Sequence, residues 1–237
     1  MLRRAIEIEP DAITLPDEPT DGQARAYAGL ANIASRYLEK LRTRIAAGLI
    51  SPRAVLVGRV RGTGTGVSFG RFLDMLEGSK GLALQSPFEG SPTVAGAVLE
   101  GRHFAGPERD DAFLKLRFDA GSDDLPMHAH EGSDRFIFVL SGRGCYHISP
   151  DPLDGFTGCG IAHVPVRERD VLMFPRDTIH TFSTDPEALL LLSYHAPYIP
   201  LDDPKQYTLP STRVAPARLP SSVSAQVACD PAWTCVA

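Results

Sequence analysis

Apolar positions along this chain fall into two regimes. Between residues 22 and 49, Tyr27, Leu30, Ala31, Ala34, Leu38, Leu41, Ile45 and Leu49 recur at spacings of three and four. Arg25, Arg36, Glu39, Lys40 and Arg42 lie largely off that stripe. This is the period of a helix with one apolar face, and it predicts a helix over 22–48, capped by Asp21 and ended by Gly48 and Pro52. The stripe is read as a face packed on the rest of the protein, with a helix-mediated homodimer as a further use. Residues 1–20, rich in proline and acids, are expected to form an irregular arm.

From Ala54 the pattern changes to short apolar runs broken by Gly and Pro. Residues 54–60 read as a strand, residues 62–66 (Gly-Thr-Gly-Thr-Gly) as a turn, and residues 72–78 as one or two helical turns. The glycine run lacks the Lys-Ser/Thr ending of a phosphate-binding loop. Strand signals then follow closely at 113–118, 135–140, 144–148, 161–166, 171–174 and 188–196, with Gly142, Gly144, Pro150, Gly155, Gly158 and Gly160 marking turns. Many strands without intervening helices predict a mainly β protein, an antiparallel barrel or sandwich with an N-terminal helical extension. The organisation that follows is an extension over 1–108, a barrel over 109–200 and an extended tail over 201–237.

Bulk properties narrow the partners. A net charge of -5 provides no cationic field for nucleic acid or an anionic membrane. No apolar run is long enough to span a bilayer, and the N-terminus lacks an apolar signal core. Four cysteines do not describe a disulfide scaffold, so a cytoplasmic location is expected. Cys229 and Cys235, near the only tryptophan, sit in the tail, where free thiols are the plain reading and a disulfide or soft-metal site the alternative.

The candidate chemistry lies in His128-Ala-His130 and, much later, Pro175-Arg-Asp177-Thr-Ile-His180. Histidines two apart on a strand share a face, and a third from a distant strand can close a metal site. Tyr194 and His195 are neighbours on the last predicted strand, so one of them faces inward as a catalytic candidate. Cys145, were it to face the barrel, would approach the pocket; a buried structural thiol is the plainer reading. His163 is read as structural or exposed, and nothing singles out His103.

The stretch from Met127 to Thr184 resembles the cupin superfamily, small β-barrels of the jelly-roll type. The family's first motif, His-x-His, a Glu, then a Gly, reads here His128-Ala-His130-Glu-Gly-Ser-Asp134-Arg135-Phe-Ile-Phe-Val-Leu-Ser-Gly142. Its second motif, Gly-Asp then Pro-x-Gly-x-x-His, reads Arg169-Asp170 then Pro175-Arg-Asp177-Thr-Ile-His180. The resemblance implies a metal held by His128, His130 and His180. The position of the family's Glu ligand holds Arg135, with Asp134 one residue out of phase. Two readings stay open: Asp134 completes a three-His, one-carboxylate site, or three histidines bind alone with Arg135 near the open positions. The second is preferred. A guanidinium beside a divalent cation calls for a bridging anion from a substrate; the alternative is that Arg135 points outward to a surface salt bridge near Asp134 or Glu131.

That in turn resembles the three-histidine iron dioxygenases among the cupins. Fe(II) is the favoured cofactor, with Zn, Ni or Mn open. The expected function is a mononuclear non-haem metal-dependent oxidoreductase acting on a small anionic or chelating molecule. The alternatives are a non-catalytic cupin that binds or senses a small molecule, and a cupin isomerase or epimerase.

Overall fold

The computed structural model describes residues 6–8, 23–59, 90–211, 214–216 and 233–235. The predicted Asp21 cap, the glycine run at 62–66, the helical turn at 72–78 and Cys229 lie outside the described residues.

Among the described residues nine strands join one sheet system; seven follow the order β1 (Ile6–Ile8), β2 (Val55–Arg59), β7 (Asp170–Phe174), β5 (Asp134–Ile148), β9 (Leu189–Ala196), β4 (Ala112–Phe118) and β3 (Val94–Glu100). β6 (Ala162–Arg167) and β8 (His180–Ser183) pair with the second half of β5. All pairings are antiparallel except β1 with β2, so the arm expected to be irregular holds a short parallel strand. In the tail, β10 (Val214–Pro216) pairs with β11 (Trp233–Cys235). The inner faces share one apolar core: Val94, Phe118, Ile137, Tyr146, Val164, Phe174, Phe182 and Leu191 pack together. This is the mainly antiparallel jelly-roll barrel that the strand spacing and the family resemblance lead one to expect.

β5 corrects the sequence reading. Residues 135–140 and 144–148, predicted as two strands around a turn, are one strand of 15 residues. Gly142, at φ 78°, bends the chain without reversing it, after a register shift between Val139 and Ser141. A Cβ at Gly142 would lie 1.8 Å from the Ala188 carbonyl oxygen, so only glycine fits that crossing. The first half of β5 therefore pairs with β7 and β9, and the second with β6 and β8.

The predicted helix is α1 (Gln23–Ala46). Tyr27, Leu30, Ala31, Ala34, Leu38 and Leu41 are buried against Phe113, Phe136, Phe138, Met173 and Leu192 on the outer face of the sheet. Its C-terminus is a Schellman motif: Gly48 has φ 67°, Gly48 N–H donates to Ile45 O and Leu49 N–H to Arg44 O. Leu49 thus leaves the stripe and is 70% exposed. No helix among the described residues is long and apolar enough to cross a membrane.

A buried polar knot ties helix to sheet. Asp111 accepts from Tyr27 Oη at 3.0 Å, Tyr194 Oη at 2.7 Å and Arg109 Nε at 2.9 Å, while Tyr194 Oη also meets Ser35 Oγ at 2.9 Å. Burial works to raise the Asp111 pKa, but these donors, Arg109 first, hold it below the usual carboxylate range.

Candidate metal centre

Three backbone pairings converge the histidines. His128 and His180 form a reciprocal antiparallel bridge, with N–H···O distances of 3.0 and 2.9 Å. Ala129 pairs likewise with Thr208, from the segment that follows the barrel. Asp177 N–H donates to His130 O at 3.1 Å, holding the Pro175–Asp177 turn beside the first motif. The rings of His128, His130 and His180 then lie with centroids 4.7 to 5.0 Å apart. One ligand atom from each falls within 4.8 Å of the other two, and all three residues are buried.

The outer ring nitrogens define what the inner ones can do. His128 Nδ1 faces Pro126 O at 2.9 Å, His180 Nδ1 faces Thr178 O at 2.9 Å, and His130 Nδ1 faces Gln206 O. A carbonyl only accepts, so each Nδ1 carries the hydrogen and each Nε2 keeps its lone pair. Burial pushes His128 down to about 4, with the Arg135 charge adding to the effect against the Pro126 hydrogen bond. His130 and His180 are also lowered, well below the usual histidine range, by burial first. Three neutral imidazoles with backbone-oriented rings are a donor set that fits a divalent transition metal.

The period of two along β5 separates the other candidates. Arg135 shares a face with Ile137, toward the histidines, and stands opposite His195 on β9. Asp134 shares the other face with Phe136 and Phe138, under α1. Its carboxylate takes Arg42 Nε at 2.6 Å, Arg176 N–H at 2.8 Å and Arg176 Nε at 3.3 Å. Against the effect of burial, these donors lower its pKa. The fourth ligand candidate is therefore not brought to the three rings: alternation aims it at the helix, where two guanidiniums hold it.

The same alternation resolves the pair on β9. His195 lines the cavity, its ring 5.9 Å from His130, whereas Tyr194 points into the Asp111 knot. Tyr194 is thus not brought to the cavity. Cys145 and His147 also face away, since Tyr146 between them packs on His180 at 5.7 Å. His163 is buried and His103 exposed.

Arg135 is fully buried without a carboxylate at its head. Nη1 donates to Ser133 Oγ and, at 3.2 Å, to Asp134 O; Nη2 donates to Gln206 Oε1 at 3.1 Å. Among the described residues Nε has no hydrogen-bond partner, and neither do His195 Nδ1 and Gln206 Nε2. Burial lowers the guanidinium pKa to about 9, the cost of a charge stripped of water.

The cavity beside the rings is about 30 Å³, walled by Val94, Leu116, Phe118, Leu125, Ile137 and Phe182. That is room for about two water-sized groups. Tyr207 closes one side, its ring 5.0 Å from His128 and 5.6 Å from His130, on the short 3-10 turn Pro204–Tyr207. Sequence reasoning passed over Ser133, Gln206 and Tyr207. No spacing rule marks them, because the strap that carries the last two reaches the histidines only through tertiary pairing.

Residues 114–194 match the family described as Cupin_2, the cupin domain. Over that stretch the chain is a cupin domain, within the cupin superfamily. Among solved structures it is similar to Rru_A2000 from Rhodospirillum rubrum, a cupin-2 domain, at 20% identity and TM-score 0.41, covering 56% of this chain and 78% of that one. It is also similar to the polyketide cyclase RemF from Streptomyces resistomycificus, at 15% identity and TM-score 0.38, covering 48% and 72%. A third is the Lactobacillus farciminis oxalate decarboxylase in a formate complex, at 15% identity and TM-score 0.39, covering 49% and 32%. No curated protein matches the sequence.

Proposed function

We propose that this cupin is a mononuclear, non-haem metal-dependent oxidoreductase of the dioxygenase type, acting in the cytoplasm on a small anionic or chelating substrate. The observation that carries this reading is a buried guanidinium, Arg135, with an unsatisfied Nε beside three converging lone pairs. Two adjacent sites, one for a cation and one cationic, call for an anion that serves both. A carboxylate supplies it.

His128, His130 and His180 would hold the metal, Fe(II) being favoured. When bound, iron(II) supplies the electrons that activate dioxygen. The chain's own residues do the rest. Arg135 receives the acid group on Nε, held in place by Ser133 and Gln206. His195 offers Nδ1 from across the strand pair. The Tyr207 phenol, raised to about 12 by burial, stays protonated at neutral pH and remains a hydrogen-bond donor. The apolar walls exclude bulk water.

The test is oxygen uptake by anaerobically purified, iron(II)-reconstituted protein against a panel of small mono- and dicarboxylates. Uptake should appear with at least one acid, vanish in His180→Ala, and need far more acid in Arg135→Gln. Iron-loaded protein that binds an acid without consuming oxygen would overturn the oxidase chemistry and leave a ligand-binding cupin.

A further inference from the structure

The second half of β5 carries another set of metal-binding atoms on its opposite face. Cys145 and His147, two residues apart, point the same way, and His163 of β6 stands directly opposite His147 in the antiparallel register. All three are buried, and one ligand atom from each lies within 4.8 Å of the other two. From these positions we infer that Cys145, His147 and His163 form a second metal site, for a borderline-soft cation of the zinc class, separate from the three-histidine centre.

The hydrogen-bond pattern supports this. His147 Nδ1 lies 2.8 Å from His163 Nδ1 and 3.8 Å from Cys145 Sγ. His147 Nδ1 has one lone pair or one hydrogen to offer, and the Cys145 thiol also lies 3.9 Å from Tyr146 O. A cation among the three would take one lone pair from each. Tetrahedral zinc, with bonds of about 2.3 Å to sulfur and about 2.0 Å to nitrogen, separates sulfur from nitrogen by about 3.6 Å and nitrogen from nitrogen by about 3.3 Å. The sulfur distance is already close; the two rings need to part by about 0.5 Å.

Ser183 Oγ, on β8, sits 2.8 Å from His147 Nε2. It can accept that N–H and so leave Nδ1 as the liganding nitrogen, the usual arrangement around a metal-bound imidazole. The site thus joins β6 to β5 directly and β8 through Ser183. Entry of the cation displaces the thiol proton to solvent, leaving a thiolate, two neutral imidazoles and one open position. A thiolate in the set selects softer metals than imidazoles alone.

Cobalt(II) reports the difference, because only a thiolate ligand produces a sulfur-to-cobalt charge-transfer band. Metal-stripped full-length protein is titrated with cobalt(II), then back-titrated with zinc(II). The band should rise to saturation, be quenched by zinc, and disappear in Cys145→Ser. It should persist in the triple variant Cys159→Ser/Cys229→Ser/Cys235→Ser, which leaves the cluster untouched. That variant decides the matter even if Cys145→Ser fails to fold. No band in the wild type, a band surviving Cys145→Ser, or one lost in the triple variant would overturn the assignment. None of these readings depends on whether the three-histidine centre binds iron.

Discussion

At the scale of single residues, adjacent positions on β5 have opposite duties. Asp134 and Arg135 differ by one step, and the pleat sends one to the helix and the other to the face that carries Ile137 and meets His195. Replacing His128 or His180 by Ala should abolish metal retention, measured by elemental analysis after gel filtration. Asp134→Ala should retain the metal and lower stability by about 1–2 kcal/mol, a modest value because Arg42 and Arg176 are both partly exposed. Loss of metal in Asp134→Ala would return the carboxylate to the ligand set. Arg135→Met makes a sharper case. The wild-type guanidinium is buried with no carboxylate hydrogen-bonded to it among the described residues, so the variant should melt at a higher temperature than wild type, both metal-free, while losing acid binding. A lower melting temperature would mean that Ser133 and Gln206 already compensate the charge. The motif departures are visible at this scale too. Arg169 and Asp177, standing where the family pattern has glycine, keep the left-handed backbone at φ 74° and 63°. The backbone geometry survives although the residue type does not.

At the scale of elements, α1 was legible because its signal is local. Spacings of three and four select one face whatever that face meets, and Tyr27 to Leu41 are buried as that rule expects. Leu38→Ala should cost about 2–4 kcal/mol, read as a drop in the denaturation midpoint, because Leu38 is 1% exposed in the helix–sheet core. A loss under about 1 kcal/mol would mean that the helix is only loosely docked. The continuity of β5 was not legible. Glycine signals a turn in sequence, but Gly142 is set by the approach of Ala188 from β9's end, a contact some 46 residues away in the chain. The strap that ends in Tyr207 and Thr208 was unreadable for the same reason: its role comes from pairing with Ala129, not from its own composition.

At the scale of the whole molecule, the two histidine-bearing clusters make stability depend on pH. His128 is lowered to about 4 and His147 to about 3, each by burial first, whereas the unfolded chain titrates near 6.5. The unfolded state therefore takes up protons first as pH falls. Their contribution is fully present above about 6.5 and is lost toward 4 and below, at about 1.4 kcal/mol per pH unit for each histidine. The melting temperature of chelator-treated protein should fall steadily over that window; a flat profile would show that the rings are hydrated or already charged. What the sequence alone determined is whatever local periodicity encodes: a helix with one apolar face, a run of strands, and two histidines one residue apart that share a side of an extended segment. Tertiary structure decided which way each strand turned its alternate side chains. That choice brought His180 onto His128, sent Asp134 to the helix and Arg135 to Ser133 and Gln206 on the other face, and set His163 opposite His147. The physical reason is that alternation specifies two faces but not which is inside, and only packing of the whole sheet against α1 and its own interior breaks that symmetry.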